Sequence, residues 1–316
     1  MESLKELTFF VGNSFSFTRF SKSKSESKSK LQAVRKCVRS RFVVHLYDDV
    51  YSERRRNSLT VCASGESSPI QDQSHLDQWK SLSKVPEDFP QIYSQVNAAI
   101  SEALDAGMEL AEVQFPAVPN IATAALNQLL DANRNHALVL SKALEKRGSV
   151  RVAFPDAGET KLAKNAWKNE SDNIKISSIK AGLDSDSGKS ILVVMPGFNV
   201  DEWLDMEKLR IGPPIIVLNG EMDRVRGGYY PRIFYPGLHR VKDRFLNKFE
   251  PIFFLKQFGS GLGVLFRKYP EPWQTLFRDS DGSLRLIAVD QTRPAYQDVE
   301  KRFRYEQIQQ YEGNRK

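Results

Sequence analysis

The chain has 316 residues, of which 41% are hydrophobic and 27% charged, and its formal net charge is +7. This charge is unevenly distributed, because residues 1–63 contain 13 basic and 6 acidic residues and the remainder contains 33 of each. The pI of about 9.2 therefore describes the N-terminal segment and gives no reason to infer nucleic-acid binding by the rest. No apolar run approaches the roughly 20 residues of a membrane-spanning helix.

Residues 1–63 are rich in Ser and basic residues, as in SFSFTRFSKSKSESKSKLQ. This composition is typical of organelle transit peptides, and the abundance of Ser favours the plastid. Val61-Cys62-Ala63 resembles a Val-x-Ala processing site, so we predict a chloroplast transit peptide over residues 1–63. The alternative is a basic tail that stays attached. Both cysteines, Cys37 and Cys62, lie here, so a chain cleaved after Ala63 has no disulfide, thiolate zinc site or Cys nucleophile.

Residues 64–84 are polar and are predicted to form a flexible linker, which leaves a single folded domain over residues 85–295. The first element of this domain is a predicted amphipathic helix over Gln91–Ala106. Its apolar face consists of Ile92, Val96, Ala99, Ile100 and Ala103. Further helices are predicted over 121–147, 161–168 and 201–210, and strands over 110–115, 150–154, 174–179, 191–195 and 214–218.

Strands that are separated by helices and have all-apolar cores, such as ILVVM and IIVL, indicate a parallel sheet. We therefore predict an α/β fold, a Rossmann-like three-layer arrangement with helices on both faces of a mostly parallel sheet. Antiparallel strands are expected to extend this sheet near the C-terminus. Residues 296–316 are predicted to form a polar C-terminal helix and tail.

Ligands of such sheets bind at the carboxyl ends of the strands. The four connections there are FPAVPN, FPDAGET, MPGFNVDEW and LNGEMDR, and none is a Gly-rich phosphate loop. Three of them carry acids: Asp156 and Glu159, Asp201 and Glu202, Glu221 and Asp223. Carboxylates at a helix N-terminus cap it and repel an anion, so we interpret these acids as caps rather than metal ligands. No catalytic constellation, cofactor or metal site is predicted.

The segment from Pro251 to Asp290 has three apolar runs and the block LFRKYPEPW. It predicts an antiparallel end to the sheet, with a Gly-rich turn and a hairpin turn at Asp281-Gly282. In one interpretation Trp273 is a core anchor, since large aromatic side chains mostly pack. In the other, a partner-binding corner is formed by Arg267, Lys268, Tyr269 and Trp273.

Residues 224–268 contain ten basic residues and two acids. A helix is predicted over 238–249, in which an apolar face is formed by Leu238, Val241, Phe245 and Phe249. The cations Arg240, Arg244 and Lys248 recur every four residues on another face. They form either a solvated surface or a partner-binding face for acidic protein, anionic thylakoid lipid or RNA.

The order IIVLNG, HRVKDRFLNKFE, PIFFLKQF, GVLFRKYPEPWQTLF and SLRLIAVD resembles a domain of unknown function shared by cyanobacteria and plastids. The resemblance covers residues 85–289, and FRKYPEPW is its most specific part. The family includes a Low PSII Accumulation protein, and its domain is also similar to an extension of a plastid adenylate kinase.

The resemblance implies a stromal, thylakoid-associated factor that assists insertion of the chlorophyll-binding core protein of photosystem II. Its partners would be that core protein, a second assembly factor and the Albino-type thylakoid insertase. The family has no established catalytic residues, so none is transferred to this chain.

We therefore predict a non-enzymatic protein of the chloroplast stroma, peripheral to the thylakoid membrane, that assists assembly of photosystem II or another thylakoid complex by protein contacts. One alternative is a nucleotide-binding or nucleotide-processing stromal enzyme, suggested by the α/β fold and the kinase-linked relatives. Another is a plastid RNA-binding protein, suggested by the basic segment.

Overall fold

The computed structural model describes residue 79 and residues 81–182, 188–197 and 199–313. The predicted transit peptide and most of the predicted linker lie outside the described residues. The helices are Phe89–Asp105 (α1), Leu126–Leu144 (α2), Ala157–Ala166 (α3), Val200–Met206 (α4), Asp223–Arg226 (α5), Pro236–Arg244 (α6) and Tyr296–Gly313 (α7). The strands are Leu110–Gln114 (β1), Val150–Phe154 (β2), Ile174–Ser178 (β3), Ser190–Val194 (β4), Ile215–Leu218 (β5), Glu250–Phe258 (β6), Gly263–Lys268 (β7), Trp273–Arg278 (β8) and Leu284–Asp290 (β9).

The strands form one nine-stranded sheet in the order β3-β2-β4-β5-β1-β6-β7-β8-β9. Neighbours from β3 to β6 are parallel. From β6 to β9 the neighbours are antiparallel. The predicted α/β fold class is therefore confirmed, and the late antiparallel strands extend the parallel sheet as expected.

The apolar pattern of the sequence places helices on both faces of the sheet. In β4, Leu192 and Val194 contact a core covered by α1, α2 and α3, whereas Ile191 and Val193 contact a core covered by α4, α5 and α6. Successive side chains of a strand point to opposite faces, so a strand with all positions apolar is buried on both. A third apolar core lies between the antiparallel strands and α7, where Phe303 is buried.

Helix α1 shows how local sequence determines an element here. The Oδ1 atom of Asp88 accepts a hydrogen bond from the backbone N of Gln91 at 2.8 Å and caps the helix start. The chain leaves the helix at Gly107, whose φ of +78° is open to glycine. The predicted apolar face is buried, from Ile92 to Ala103, and this prediction is confirmed.

Asn219, just after β5, joins three elements at the carboxyl ends of the parallel strands. Its φ of +50° lies in the left-handed region, which Asn tolerates better than most residues. Its Oδ1 accepts from the backbone N of Phe115 at 2.9 Å, and its Nδ2 donates to Oδ1 of Asn133 at 2.7 Å. Asn133 in turn donates to the carbonyl of Leu129 at 2.8 Å. These buried amides hold the ends of β1 and β5 against α2.

His136 on α2 is enclosed by aromatic rings and hydrogen-bonded through both ring nitrogens. Its Nε2 donates to the carbonyl of Ala117 at 2.8 Å, and the hydroxyl of Tyr93 donates to Nδ1 at 2.8 Å. A carbonyl can only accept, so the neutral ring carries its proton on Nε2. Burial lowers the pKa of His136 below its usual value of 6.5.

Acidification is expected to weaken the fold through His136. The unfolded chain binds the extra proton at a higher pH than the folded chain does. The contribution of neutral His136 to the stability of the fold is therefore fully present above about pH 6.5 and is lost as the pH falls below that value. Denaturant titrations of the wild type and His136→Gln at about pH 7.5 and about pH 5 measure this difference. The wild type should lose more stability than the variant, and equal losses would contradict the expectation.

Candidate functional site

An interior ionic cluster lies on the face of the sheet covered by α5 and α7. Its members come from β1, α5, β6, the turn after β9, and α7: Glu112, Asp223, Arg226, Lys256, Arg293 and Tyr296. Ionisable groups gathered in one partly buried place are the usual first candidates for a functional site.

Glu112 is fully buried at the centre of β1. Its Oε2 accepts a hydrogen bond from Nη1 of Arg226 at 2.6 Å, while Oε1 is buried with no hydrogen-bond partner among the described residues. Burial raises the pKa of Glu112, and the attraction of Arg226 opposes that shift. Nη2 of Arg226 donates to the carbonyls of Leu246 and Phe249 at 3.0 and 2.9 Å, which fixes the guanidinium in place.

Arg293 forms the second half of the cluster. Its Nη2 donates to Oδ2 of Asp223 at 2.5 Å and to the hydroxyl of Tyr296 at 2.8 Å. That hydroxyl donates to the same Asp223 oxygen. The Arg293 guanidinium also lies over the rings of Phe254 and Trp273, at 4.4 and 5.2 Å from their centres. Burial raises the pKa of Tyr296 well above its usual value.

Lys256 on β6 is the member with the chemistry of a base or nucleophile. Burial lowers its pKa, as in lysines that serve in catalysis. Its Nζ, however, lies 4.5 Å from the centre of the Tyr296 ring, and a cation–π contact favours the charged form. The charged groups of the cluster thus interact mainly with one another, and they join the parallel strands to α7 and the antiparallel strands.

The sequence carried one signal for this cluster that our prediction missed. Glu112 stands between apolar neighbours in a strand of a sheet predicted to be covered on both faces. A carboxylate in such a position is buried, and a buried charge requires a partner. Nothing local identified that partner as Arg226, which lies over a hundred residues away along the chain.

The acids predicted as helix caps do not all cap helices. Asp156 caps α3 as predicted, because its Oδ1 accepts from the backbone N of Glu159 at 2.9 Å. Helix α4 is capped by Asn199 instead of by the acids that follow it, with an Oδ1 to Asp201 N distance of 3.1 Å. Asp223 pairs with Arg293, so its prediction as a cap was wrong. Within the described residues, no group of three or more His, Cys, Asp or Glu side chains could hold a metal ion.

The predicted cationic row on the helix is only partly as expected. Arg240, Arg244 and Lys248 are exposed, while Phe245 and Phe249 are buried as predicted. The helix itself ends at Arg244, since Phe245 has φ −133° and ψ −59°, and Lys248 lies in a separate 3₁₀ turn. The prediction of one continuous helix to residue 249 was therefore wrong. Arg244 also donates from Nε and Nη2 to Glu207 at 2.5 Å each.

The block FRKYPEPW forms the end of β7, a turn and the start of β8. Trp273 is 1% exposed and contacts Phe254 edge to face, so it is a core anchor and presents no surface to a partner. Arg267 donates to the carbonyls of Pro251 and Glu271 at 3.1 and 3.2 Å and lies over the Trp273 ring. The partner-binding corner is thus wrong for Trp273.

The other two residues of that corner are likewise involved in intramolecular contacts. Lys268 lies 4.0 Å from the carboxylate of Glu271, and both side chains are mostly shielded from solvent. Tyr269 is partly buried against the core beneath α1. Partner binding by Arg267, Lys268 and Tyr269 stays a prediction, with little of their surface exposed to carry it.

An exposed apolar loop joins α5 to α6, and our prediction did not single it out. It is the segment Tyr229–Tyr235, in which Ile233 and Phe234 are 82% and 75% exposed. Among the described residues ten large hydrophobic side chains are exposed, and four of them fall in these seven positions. In the same described part of the chain, no helix is both long and apolar enough to cross a membrane.

Comparison with protein-family models matches residues 86–301 to a domain described as Domain of unknown function (DUF1995). No curated protein and no solved structure matches the chain. The matched range begins one residue after the predicted start of the folded domain, includes every strand of the sheet and the interior ionic cluster, and ends within α7. Because this range is more than half of the chain, the chain belongs to the DUF1995 family.

Proposed function

We propose that this protein is a non-catalytic chloroplast factor that assists assembly of photosystem II, or of another thylakoid complex, through contacts with proteins. Membership of the DUF1995 family and the resemblance of GVLFRKYPEPWQTLF to its photosynthetic members support the proposal. The transit-peptide composition of residues 1–63 supports a location inside the chloroplast. A position at the thylakoid surface is what the family resemblance implies. Its partners would be the chlorophyll-binding core protein, a second assembly factor and the Albino-type insertase.

The observation that carries this proposal is the division of α6 and its following turn into two sides. Leu238, Val241 and Phe245 pack into the core, while Arg240, Arg244 and Lys248 are exposed. We name these three cations the α6 cationic face. Arg244 is paired with Glu207, so Arg240 and Lys248 contribute most of the charge that this face offers to a partner. Exposed cations attract acidic partners from a distance and act mainly on the association rate, which suits a factor that binds transiently.

The test is capture of the tagged protein from chloroplast extracts, with identification of the bound proteins by mass spectrometry. The proposal requires photosystem II subunits, assembly factors or the insertase among the captured proteins. Their release as salt is raised would agree with binding through the α6 cationic face. Capture of the proteins of another thylakoid complex would identify that complex as the client.

Replacing Arg240, Arg244 and Lys248 together by Gln is expected to abolish this capture without unfolding the chain. Gln keeps helix propensity, and the buried side of α6 is untouched. The matched control replaces Lys161, Lys164 and Lys168 by Gln, which removes equal charge from exposed positions on and after α3, on the opposite face of the sheet. Equal capture by a folded triple variant and by the control would return the α6 cationic face to a solvated surface.

A screen of thermal stability with nucleotides distinguishes the proposal from an enzymatic alternative. A ligand at 100 times its dissociation constant stabilises the folded state by about 2.7 kcal/mol, which a melting curve resolves readily. A clear shift with ATP or NADPH would contradict a purely non-catalytic role. Salt-dependent binding of plastid RNA at low ionic strength would favour the RNA-binding alternative instead.

A further inference from the structure

The loop Tyr229–Tyr235 presents two adjacent apolar side chains to solvent at its tip. Ile233 and Phe234 are 82% and 75% exposed, and Tyr229 and Tyr235 flank them with 37% each. Single exposed apolar residues are ordinary, but a contiguous group of them marks an interaction site. Side chains exposed to this degree project from the surface. They can therefore enter a deformable surface, which needs no preformed pocket to receive them.

Contacts beneath the tip hold this loop in one shape. Backbone N atoms of Phe234 and Tyr235 both donate to the carbonyl of Pro231 at 3.1 Å, which closes a turn around Ile233. The Tyr230 ring packs edge to face against Tyr229 and Tyr235, with ring centres 5.0 and 5.2 Å away. His239 at the base donates from Nε2 to the carbonyl of Tyr230 at 2.6 Å. The apolar pair is therefore presented by a preformed turn, which lowers the entropic cost of binding.

Along the chain the charged residues that flank the loop are all basic, while the carboxylate of Glu202 on α4 acts electrostatically on Tyr230 from another part of the fold. Between Asp223 and Asp243 the chain has five cations and no acid. Arg232 stands next to the apolar pair and is exposed, and the Arg224 guanidinium lies 5.0 Å from the centre of the Tyr229 ring. Apolar and aromatic side chains next to cations are typical of segments that lie in the interface of a membrane with anionic lipid.

We propose that the loop Tyr229–Tyr235 binds an anionic lipid surface, with Ile233 and Phe234 inserted at the boundary of headgroups and acyl chains. Arg232 and Arg224 contact the lipid headgroups. Insertion removes the apolar side chains from water, and the anionic headgroups pair with the cations beside the loop. This goes beyond the proposed function, because it requires no other protein.

The test is co-sedimentation of the full chain with vesicles of phosphatidylcholine alone or of phosphatidylcholine with phosphatidylglycerol. The wild type should bind the anionic vesicles more strongly. Ile233→Ser/Phe234→Ser should reduce that binding at least about tenfold, because two inserted apolar side chains are lost. Arg232→Gln should reduce binding about fivefold on anionic vesicles, as expected for one cation near such a surface, and have little effect on neutral ones.

Ile211→Ser is the matched control, because Ile211 is 81% exposed but lies in the connection before β5, outside the loop. It should bind anionic vesicles like the wild type. The basic residues of 1–63 are present in every variant, so differences between variants report on the loop alone. Unchanged melting temperatures exclude unfolding as the cause of any loss.

A second readout locates the inserted residue. Phe234→Trp should bind like the wild type, and its added fluorescence should shift to shorter wavelength with anionic vesicles and be quenched by brominated lipid. Binding by the Ile233→Ser/Phe234→Ser variant equal to the wild type, or an unshifted Phe234→Trp spectrum on bound protein, would overturn the proposal. If the wild type does not bind vesicles and the loop variants capture fewer proteins from extracts, the proposal is overturned in favour of a protein partner. Because the vesicles contain no protein, failure here leaves the proposed assembly function standing.

Discussion

Arg226→Met is expected to destabilise the fold by about 3–5 kcal/mol, the usual effect of removing one partner from a buried ion pair. Glu112 would stay buried but lose its partner, and within the described part of the chain its other oxygen has no hydrogen bond to compensate. The carbonyls of Leu246 and Phe249 would also lose their donor. Denaturant unfolding of the folded domain, followed by circular dichroism, measures the loss.

The same pair gives a second, sharper result when both partners are replaced. Glu112→Gln/Arg226→Met removes the charge as well as its partner, so it should be more stable than Arg226→Met alone. In the single variant burial raises the pKa of Glu112 without the opposing attraction of Arg226. A group with a raised pKa in the folded chain gains a proton on folding, so the single variant should become less destabilised as pH falls through that pKa.

Arg147→Met is the control for these experiments, because Arg147 pairs with Asp105 at an exposed site on the surface. It should change stability little. A loss for Arg226→Met no greater than that for Arg147→Met would show that the Glu112–Arg226 pair is not a structural element of the core.

Phe245→Ala is expected to cost about 3–5 kcal/mol, the usual range for deleting a fully buried aromatic ring. Phe245 is fully buried beneath the end of α6, and its ring meets Phe249 edge to face with centres 5.2 Å apart. The residue also forms the bend at which the helix ends, so its neighbours have little freedom to fill the space.

The adjacent variant Arg244→Gln is the comparison for Phe245→Ala. It breaks the pair of Arg244 with Glu207 on the exposed side of the same turn. Exposed ion pairs contribute little to stability, so the melting temperature should stay nearly unchanged. Thermal unfolding of the two variants side by side tests whether this segment divides into a packed side and a solvent side. A small loss for Phe245→Ala, or a large one for Arg244→Gln, would contradict the burial that the structure describes.

Part of the fold could be predicted because it depends on local patterns. The face of α1 follows from a period of 3.6 residues, and the double burial of β4 and β5 follows from unbroken apolar runs. The hairpin between β8 and β9 follows from Asp281-Gly282, where Gly282 has φ +89°. These features are determined by residues close together in the chain, so a single sequence is enough to predict them.

The candidate sites were harder to predict because they combine distant or locally ordinary residues. The interior ionic cluster requires β1 to lie between β5 and β6, which brings α5 over Glu112. Predicting the exposed tip of the loop requires knowing that no element of the described structure covers Ile233 and Phe234. Their apolar character alone is equally compatible with a place in the core. The end of α6 at Arg244 depends on the bend that places Phe245 in the core. The helical period of the apolar residues continues past this bend, so the sequence pattern does not show where the helix ends.

The sequence by itself determined the α/β class, the faces of the helices, the turns and the family, because periodicity, glycine conformations and a specific block of residues are properties of neighbouring positions. Only the tertiary structure decided the strand order, the partner of Glu112, the burial of Trp273 against Arg293 and the exposure of the loop before α6. The physical reason is that burial and ion pairing depend on which elements become neighbours in space. Apolar patterns show that a face is covered but do not show which element covers it.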